Sequence, residues 1–313
     1  AWKTVWKNKV LWIFGFFASL LASNGSGNGG DGNGVNWRYT PEELPRYFNN
    51  FGDGLEQFFS QISEGQWIAF GLGMVVLGMV AFLVTMFFGH LGKGAVIRGA
   101  VLANDDEKLK FGQLFSQGLH YFWKLLGLSA LVFAAILAAV IAGIIISVVT
   151  LGIGALVLVC LLLPIIIGVT LWVIQASIFI VVEDEDIFAA IGHAWNFVFE
   201  QHLGNYLLMG LILFVGQIIA GLIIALPALI MGIPTALVLF SGNGIASIGI
   251  VMAIIAFFIY LPIYIVAEGL VTSFVWSAWV YFYQDLTDSD AFAEEELEQL
   301  ALEGGMPGGG EMV

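Results

Sequence analysis

The sequence predicts an all-α fold, a polytopic transmembrane helical bundle of about six spans with amphipathic helices at the cytoplasmic interface. Composition is the first observation behind this prediction: 59% of the 313 residues are hydrophobic and only 11% are charged, whereas soluble domains have about 45–50% and 25%. The second is a set of apolar runs that approach the length of about 20 residues needed to cross a membrane. So few charges cannot cover so much apolar area in water, and we expect the chain in a membrane.

Six apolar runs account for the expected spans. The first, residues 10–22, reaches spanning length only if its helix begins near Trp2, and its aromatic residues favour a retained span over a cleaved signal peptide. The other runs are 67–90, about 122–149, about 151–182, about 205–230 and a stretch within 245–283. Pro164, Pro227 and Pro262 predict kinks or breaks in the later spans.

The positions of Lys and Arg orient these spans. Seven basic residues lie before the first span or between the second and third spans: Lys3, Lys7, Lys9, Lys93, Arg98, Lys108 and Lys110. Only two, Arg38 and Arg46, lie between the first and second spans. Basic residues favour the cytoplasmic side. We therefore expect both termini, 91–121 and 183–205 in the cytoplasm, 23–66 and 241–244 outside, and the protein in the cytoplasmic (inner) cell membrane. After Lys124 the sequence has no Lys or Arg, so the first half orients the second.

Reporter fusions test this orientation. Fusions at residues 35, 105, 243 and 300 are expected to report outside, cytoplasm, outside and cytoplasm, because each span moves the chain to the opposite side. A cytoplasmic signal at residue 35 would contradict the predicted orientation.

The chain is expected to form a membrane bundle, residues 1–284, followed by an acidic cytoplasmic tail, residues 285–313. The external loop 23–66 begins with a Gly-rich linker, which lacks the Gly-Lys-Ser/Thr of a phosphate-binding loop. Its second part, 41–66, has the aromatic spacing of short amphipathic helices that lie on the membrane or against the spans. In the tail, a short helix ending at Gly304-Gly305 either stays in solvent or docks on a partner.

Two segments, 111–121 and 187–200, carry polar stripes at helical spacing, which predict amphipathic helices along the cytoplasmic interface. A small–large–x–x–apolar–aromatic pattern occurs in or beside both and also at 1–6. It indicates either a duplicated two-span unit or convergent interface chemistry. The acidic residues 183–186 precede the second helix, where carboxylates favour a helix N-terminus. The interfacial side chains singled out are His120, Trp123, His193 and Trp195.

No constellation of catalytic or metal-binding residues stands out. The four histidines are His90, His120, His193 and His202. None has the His-x-x-x-His or Glu-x-x-His spacing that holds zinc or paired iron, and interfacial hydrogen bonding is expected instead. Cys160 lies inside a span as a small apolar residue, and the Gly-x-Ser-x-Gly of a serine hydrolase is missing. We therefore expect no enzyme activity, no metal and no cofactor.

Three polar side chains interrupt the later apolar runs: Gln175, Gln217 and Glu268. Glutamines inside membranes often bridge helices by hydrogen bonds, and this role is expected for both. An intramembrane carboxyl group is a functional-site candidate, unless a break near Pro262 leaves it in a hydrated pocket. With Tyr281 at the interface, Glu268 lies about 20 Å deep in a core about 30 Å thick. We expect it to face the bundle interior, with one of the glutamines or water as its partner.

Two stretches resemble bacterial membrane proteins. The opening AWKTVWKNKVLWIFG resembles that of uncharacterised six-span bacterial membrane proteins in which a Gly/Ser-rich external loop follows the first span. The second stretch is similar to a segment in the membrane domain of bacterial glycerophosphodiester phosphodiesterases. Its matching residues are Val181-Val182-Glu183-Asp184, Ala189-Ala190, Ala194-Trp195 and Asn205. The resemblance covers most of the chain loosely and implies the fold. No stretch here is long and polar enough for that family's catalytic barrel, so the resemblance implies no catalytic residue.

Two functions are consistent with these features. The favoured one is a non-catalytic integral membrane protein with a structural, organising or partner-binding role, as a subunit of a larger membrane complex. The alternative is a transporter or flippase-like protein for a lipid or small amphiphile, for which broken spans around an embedded acid are typical. Membrane lipids are expected partners in both, and other membrane-protein subunits in the first. Ten Lys and Arg residues at a net charge of −14 exclude a nucleic-acid-binding surface.

Overall fold

The computed structural model describes residues 1–25, 64–104, 109–150, 153–240 and 246–304. These residues form α-helices and one π-helical turn, and no strand occurs among them, which confirms the all-α prediction. The elements are α1 (Trp2–Lys7), α2 (Val10–Gly25), α3 (Glu64–Asn104), α4 (Phe111–Val149), α5 (Ile153–Val182), α6 (Ile187–Trp195), the π-turn (Asn196–Gln201), α7 (Leu203–Phe240) and α8 (Ala246–Gly304).

Five of the described helices are long and apolar enough to cross a membrane, and α2 adds a shorter apolar stretch, Val10–Leu21. The chain is therefore an integral membrane protein. The spanning stretches are Ile68–Asn104, Phe111–Val149, Pro164–Val182, Leu203–Ile233 and Ile254–Ser289. Most of the predicted external loop (26–63), the turn at 241–244 and the side chain of Cys160 lie outside the described residues.

The first apolar run is divided into two helices instead of one helix from Trp2. At Asn8 the backbone leaves the helical region, with φ −113° and ψ 76°. The amide nitrogen of Asn8 donates to the carbonyl oxygen of Thr4 at 3.1 Å. This side-chain bond satisfies a carbonyl at the end of α1, as capping residues do, and α2 begins at Val10.

At several other predicted boundaries the structure has a continuous helix. Residues 111–121 are the first turns of α4 and continue directly into the span, whereas α6 and the π-turn do form a separate segment at 187–201. Pro164 and Pro262 lie within α5 and α8 without ending them. Breaking a helix in lipid would leave several backbone groups unpaired, which costs more than the one bond that proline removes. Likewise, α8 runs across the predicted boundary at residue 285.

Helix α2 lies between α3 and α8 and is antiparallel to both. Along α2, Leu11 contacts Ser273 and Gly15 approaches Gly269, so rising numbers on α2 meet falling numbers on α8. Helix α4 then packs on α3, α5 on α4, and α7 on α8. Both ends of the described chain therefore lie toward the same end of the bundle.

The bundle is closely packed at one end and not at the other. We call the closed end the segments 1–21, 89–128, 171–206 and 269–286, which contain most of the buried core. We call the open end the opposite halves of α3, α4, α5, α7 and α8, where large apolar side chains are exposed. Of the most apolar 18 residues in each helix, 0% are buried in α3 and α4 and 6% in α7 and α8. Helix–helix contact therefore concentrates at the closed end.

Candidate functional site

The turn between α5 and α6, residues 183–186, carries consecutive carboxylates that reach three other helices; we call it the acidic turn. The pairs are Glu183 Oε1 with the Tyr283 hydroxyl (3.1 Å), Asp184 Oδ1 with the Lys124 ammonium (2.8 Å), and Glu185 Oε1 with His193 Nδ1 (2.6 Å). The fourth acid, Asp186, precedes α6 but makes no side-chain capping bond. The acidic turn therefore ties α4, α6 and α8 to the end of α5.

Asp184 is the most constrained member of the acidic turn. Its φ of 56° is in the left-handed region, which aspartate tolerates better than most residues. Lys124 also donates to the carbonyl oxygen of Asp184 at 3.0 Å. The hydrogen bond from Lys124 lowers the pKa of the Asp184 carboxyl, burial opposes this change, and the charges of Lys124, His120 and Arg98 add to the lowering. Basic groups from α3 and α4 thus converge on one carboxylate.

Lys124→Met is expected to raise the pKa of Asp184 toward the ordinary aspartate value. Because folding lowers this pKa, the pair stabilises the protein above the unfolded-state pKa, and the contribution is lost as the pH falls through the folded-state pKa. The Asp184 side chain is 60% exposed, so the effect is small and weakened by salt. Thermal unfolding between about pH 6 and about pH 3 measures it.

Asp184→Asn is the matched control for this pH dependence, because asparagine also tolerates the left-handed backbone and lacks the charge. Asp184→Asn should lose at least as much of the acid sensitivity as Lys124→Met, because it also removes the effects of the His120 and Arg98 charges. Acid profiles identical to that of the unmodified protein would contradict the assignment.

The predicted interfacial residues lie at the closed end, in two groups. His193 pairs with Glu185 of the acidic turn. The charge of His120 contributes to lowering the pKa of Asp184 in the same turn. Trp123 is 73% exposed and Trp195 is 49% exposed. The Trp195 ring packs edge-on against Trp172, with centroids 5.9 Å apart. The structure therefore brings both histidines to one turn and leaves both tryptophans at the surface.

Gln175 bridges α5 to α7 in the interior of the closed end. Its side chain is fully buried, and the Tyr206 hydroxyl donates to its Oε1 at 2.6 Å. The Tyr206 ring stacks on Trp279 of α8, with centroids 5.8 Å apart and planes 14° apart. Gln175, Tyr206 and Trp279 thus join three spans through one polar contact and one stack.

Gln217 on α7 and Glu268 on α8 lie at the same level along the axis of the bundle, on neighbouring antiparallel helices. Eleven residues separate Gln217 from Tyr206 and Glu268 from Trp279, which is about three helical turns, or 16 Å. Gln217 therefore lies on the same face of α7 as Tyr206, and Glu268 lies on the same face of α8 as Trp279. These two faces border the groove between α7 and α8. Gln217 is exposed and Glu268 is half-buried, and neither makes a hydrogen bond within the described residues.

His90 and Lys93 are inside the bundle, whereas the sequence predicts His90 at the interface and Lys93 in a cytoplasmic connection. Helix α3 continues to Asn104, which carries both into the closed end. His90 is 2% exposed and Lys93 is 9% exposed. The Lys93 ammonium lies 4.7 Å from the ring centre of Trp276 on α8. Their spacing of three residues was the available signal, because it places both on one helix face.

The chemistry of these sites is ionic and hydrogen-bonding contact between helices. In the part of the chain that the structure describes, no three His, Cys, Asp or Glu side chains come together to hold a metal ion. Comparison with protein-family models, with curated proteins and with solved structures finds no match to this chain.

Proposed function

We propose that the protein is a non-catalytic subunit of a larger complex in the cytoplasmic membrane, and that its open end binds transmembrane helices of a partner protein. The observation that carries the proposal is the contrast between the two ends. At the closed end, Gly15, Gly92, Gly118 and Gly269 let helices cross so closely that an added Cβ would collide with the backbone of the neighbouring helix. At the open end, α3, α4, α7 and α8 leave large apolar side chains exposed, and few residues of their most apolar stretches are buried.

Glycines at the open end favour a helical partner over acyl chains alone. At Gly73 and Gly78 on α3, and at Gly216 and Gly221 on α7, an added Cβ would meet nothing within 4 Å apart from the backbone of the same helix. Glycine destabilises a helix by about 1 kcal/mol relative to alanine, and in membranes it allows close approach of another helix. These positions therefore offer unused contact surfaces of the kind that the closed end uses.

Photo-crosslinking in native membranes tests the partner proposal. A photoreactive residue at Leu222, 65% exposed on α7, is expected to capture one membrane polypeptide through its spanning segment. The control position is Phe188, 78% exposed on α6 at the closed end, which should not capture it. Gly221→Leu should abolish capture without changing thermal stability. Adducts with lipid alone, or with a second copy of this chain, would overturn the proposal.

The second candidate function is a transporter or flippase-like activity for a lipid or small amphiphile. It is favoured by Gln217 and Glu268, which face the same groove at the same height and are not bonded to each other. An amide and a carboxyl group offer donors and an acceptor to a polar headgroup at a depth where lipid supplies none. The exposed apolar faces beside the groove suit the acyl part of such a molecule.

Reconstitution into vesicles with fluorescently labelled lipids tests this candidate. Lipid movement between leaflets should be faster than in empty vesicles and should be lost in Glu268→Gln and in Gln217→Leu. Gly216→Ala, one residue from Gln217, serves as the control and should keep the activity. Movement no faster than in empty vesicles would exclude the second candidate.

A further inference from the structure

A cation is buried in the closed end without a counter-charge. Lys93 exposes 9% of its surface, and it makes no salt bridge within the described residues. Its ammonium lies over the ring of Trp276, 4.7 Å from the ring centre. The ring attracts one side of the ammonium but supplies no full negative charge. Burying an unpaired charge costs far more than a cation–π contact returns.

Close to this cation, the two ring nitrogens of His90 also lack hydrogen-bond partners. His90 precedes Lys93 by three residues, so both side chains project from the same face of α3. Its Nδ1 and Nε2 are both buried without a hydrogen-bond partner, and the ring of Phe122 lies 6.4 Å away, edge-on. Buried polar atoms in folded proteins are nearly always hydrogen-bonded. Lys93 and His90 together offer several unused donors.

Among the described residues, no acidic side chain contacts Lys93 or His90. The stretch Val10–Leu21 of α2 contains no ionisable side chain. On α8, the hydroxyl of Ser273 already donates to the carbonyl oxygen of Leu11 at 2.6 Å. On α4, the side chains that pack nearby include Phe122, Leu125 and Tyr121, none of which is an acid. A bound anion would supply the acceptor that the described side chains around Lys93 and His90 do not provide.

We propose that Lys93 and His90 form a buried binding site for an anionic phosphate group. A phosphate has enough oxygen atoms to accept hydrogen bonds from the lysine ammonium and the imidazole together, and lysine binds phosphate as a point charge. Basic pockets between spanning helices take phospholipid headgroups, so the source is either an anionic lipid or free phosphate. The inference does not depend on the proposed function.

Thermal unfolding of the full chain, stripped of lipid in an uncharged detergent, tests the site. The three additions are phosphatidylglycerol, phosphatidylcholine and inorganic phosphate. Phosphatidylglycerol should raise the unfolding temperature more than phosphatidylcholine, and Lys93→Met should lose this difference. Lys124→Met is the control, because that ammonium is paired with Asp184 at the surface, and it should keep the difference. Without lipid, Lys93→Met should be at least as stable as the unmodified protein, since it removes an unpaired buried charge.

The outcomes separate the two sources. A Lys93-dependent rise with phosphatidylglycerol only supports a lipid headgroup site, and one with inorganic phosphate as well supports a site for free phosphate. An equal rise in Lys93→Met and in the unmodified protein would overturn the site. If Lys93→Met does not fold, native mass spectrometry of the unmodified protein decides: selective retention of phosphatidylglycerol or phosphate supports the site, and no selective retention overturns it.

Discussion

Gly269→Ala is expected to destabilise the protein by about 1–3 kcal/mol, the usual cost of overpacking a close contact. A Cβ at position 269 would collide with the carbonyl oxygen of Trp12, and one at Gly15 would collide with the carbonyl oxygen of Gly269. Backbone atoms cannot rotate aside as a flexible side chain can, so α2 and α8 would have to separate. Thermal or chemical unfolding in detergent measures the loss.

Gly216→Ala is the matched control for this substitution. Gly216 also lies within a spanning helix, and an added Cβ there meets no atom within 4 Å. Alanine should be neutral there, or stabilising by up to about 1 kcal/mol, because it is the better helix former. An equal loss at both positions would show that close approach of α2 to α8 is not what position 269 requires.

Tyr206→Phe is expected to destabilise the protein by about 1–3 kcal/mol, because it leaves the buried Oε1 of Gln175 without its donor. Both side chains are fully buried, and the Nε2 of Gln175 already lacks a partner. The phenylalanine ring still fills the space against Trp279, so the loss reports the hydrogen bond and not a cavity. Unfolding of the purified variants measures the difference.

A double-mutant cycle checks the assignment to the hydrogen bond. Adding Gln175→Leu to Tyr206→Phe removes the unsatisfied amide, so the double variant should recover much of the loss. Losses that simply add would mean that Tyr206 and Gln175 contribute independently, which contradicts the 2.6 Å bond between them.

The fold class was predictable because lipid allows few alternatives. A long apolar run in a membrane has to satisfy its backbone within itself, and a helix does so. Helix boundaries were less predictable. Asn8 ends α1 through a side-chain bond that composition does not reveal. The apolar runs also have little periodicity, because residues facing lipid and residues facing another helix are both apolar, so the face that each span buries could not be read from the sequence.

The sites were predictable only in part, since their partners are distant in the sequence. The acids at 183–186 were visible as a run, but Glu183 meets Tyr283, 100 residues later. Lys93 is visible as a basic residue, and the charge pattern places it in the cytoplasmic connection 91–121. Its burial follows from the continuation of α3 to Asn104 and from contact with Trp276. The facing arrangement of Gln217 and Glu268 became apparent only once the stack of Tyr206 on Trp279 aligned their helices.

The position of α2 has a consequence for how the molecule is made. The hydroxyl of Ser273 meets the carbonyl oxygen of Leu11 across 262 residues of chain. During synthesis α2 enters the membrane before α3 and long before α8, so its second neighbour does not exist until α8 has been made. Until then the face around Gly15 is uncovered. A chain interrupted before α8 would keep that face of α2 exposed permanently.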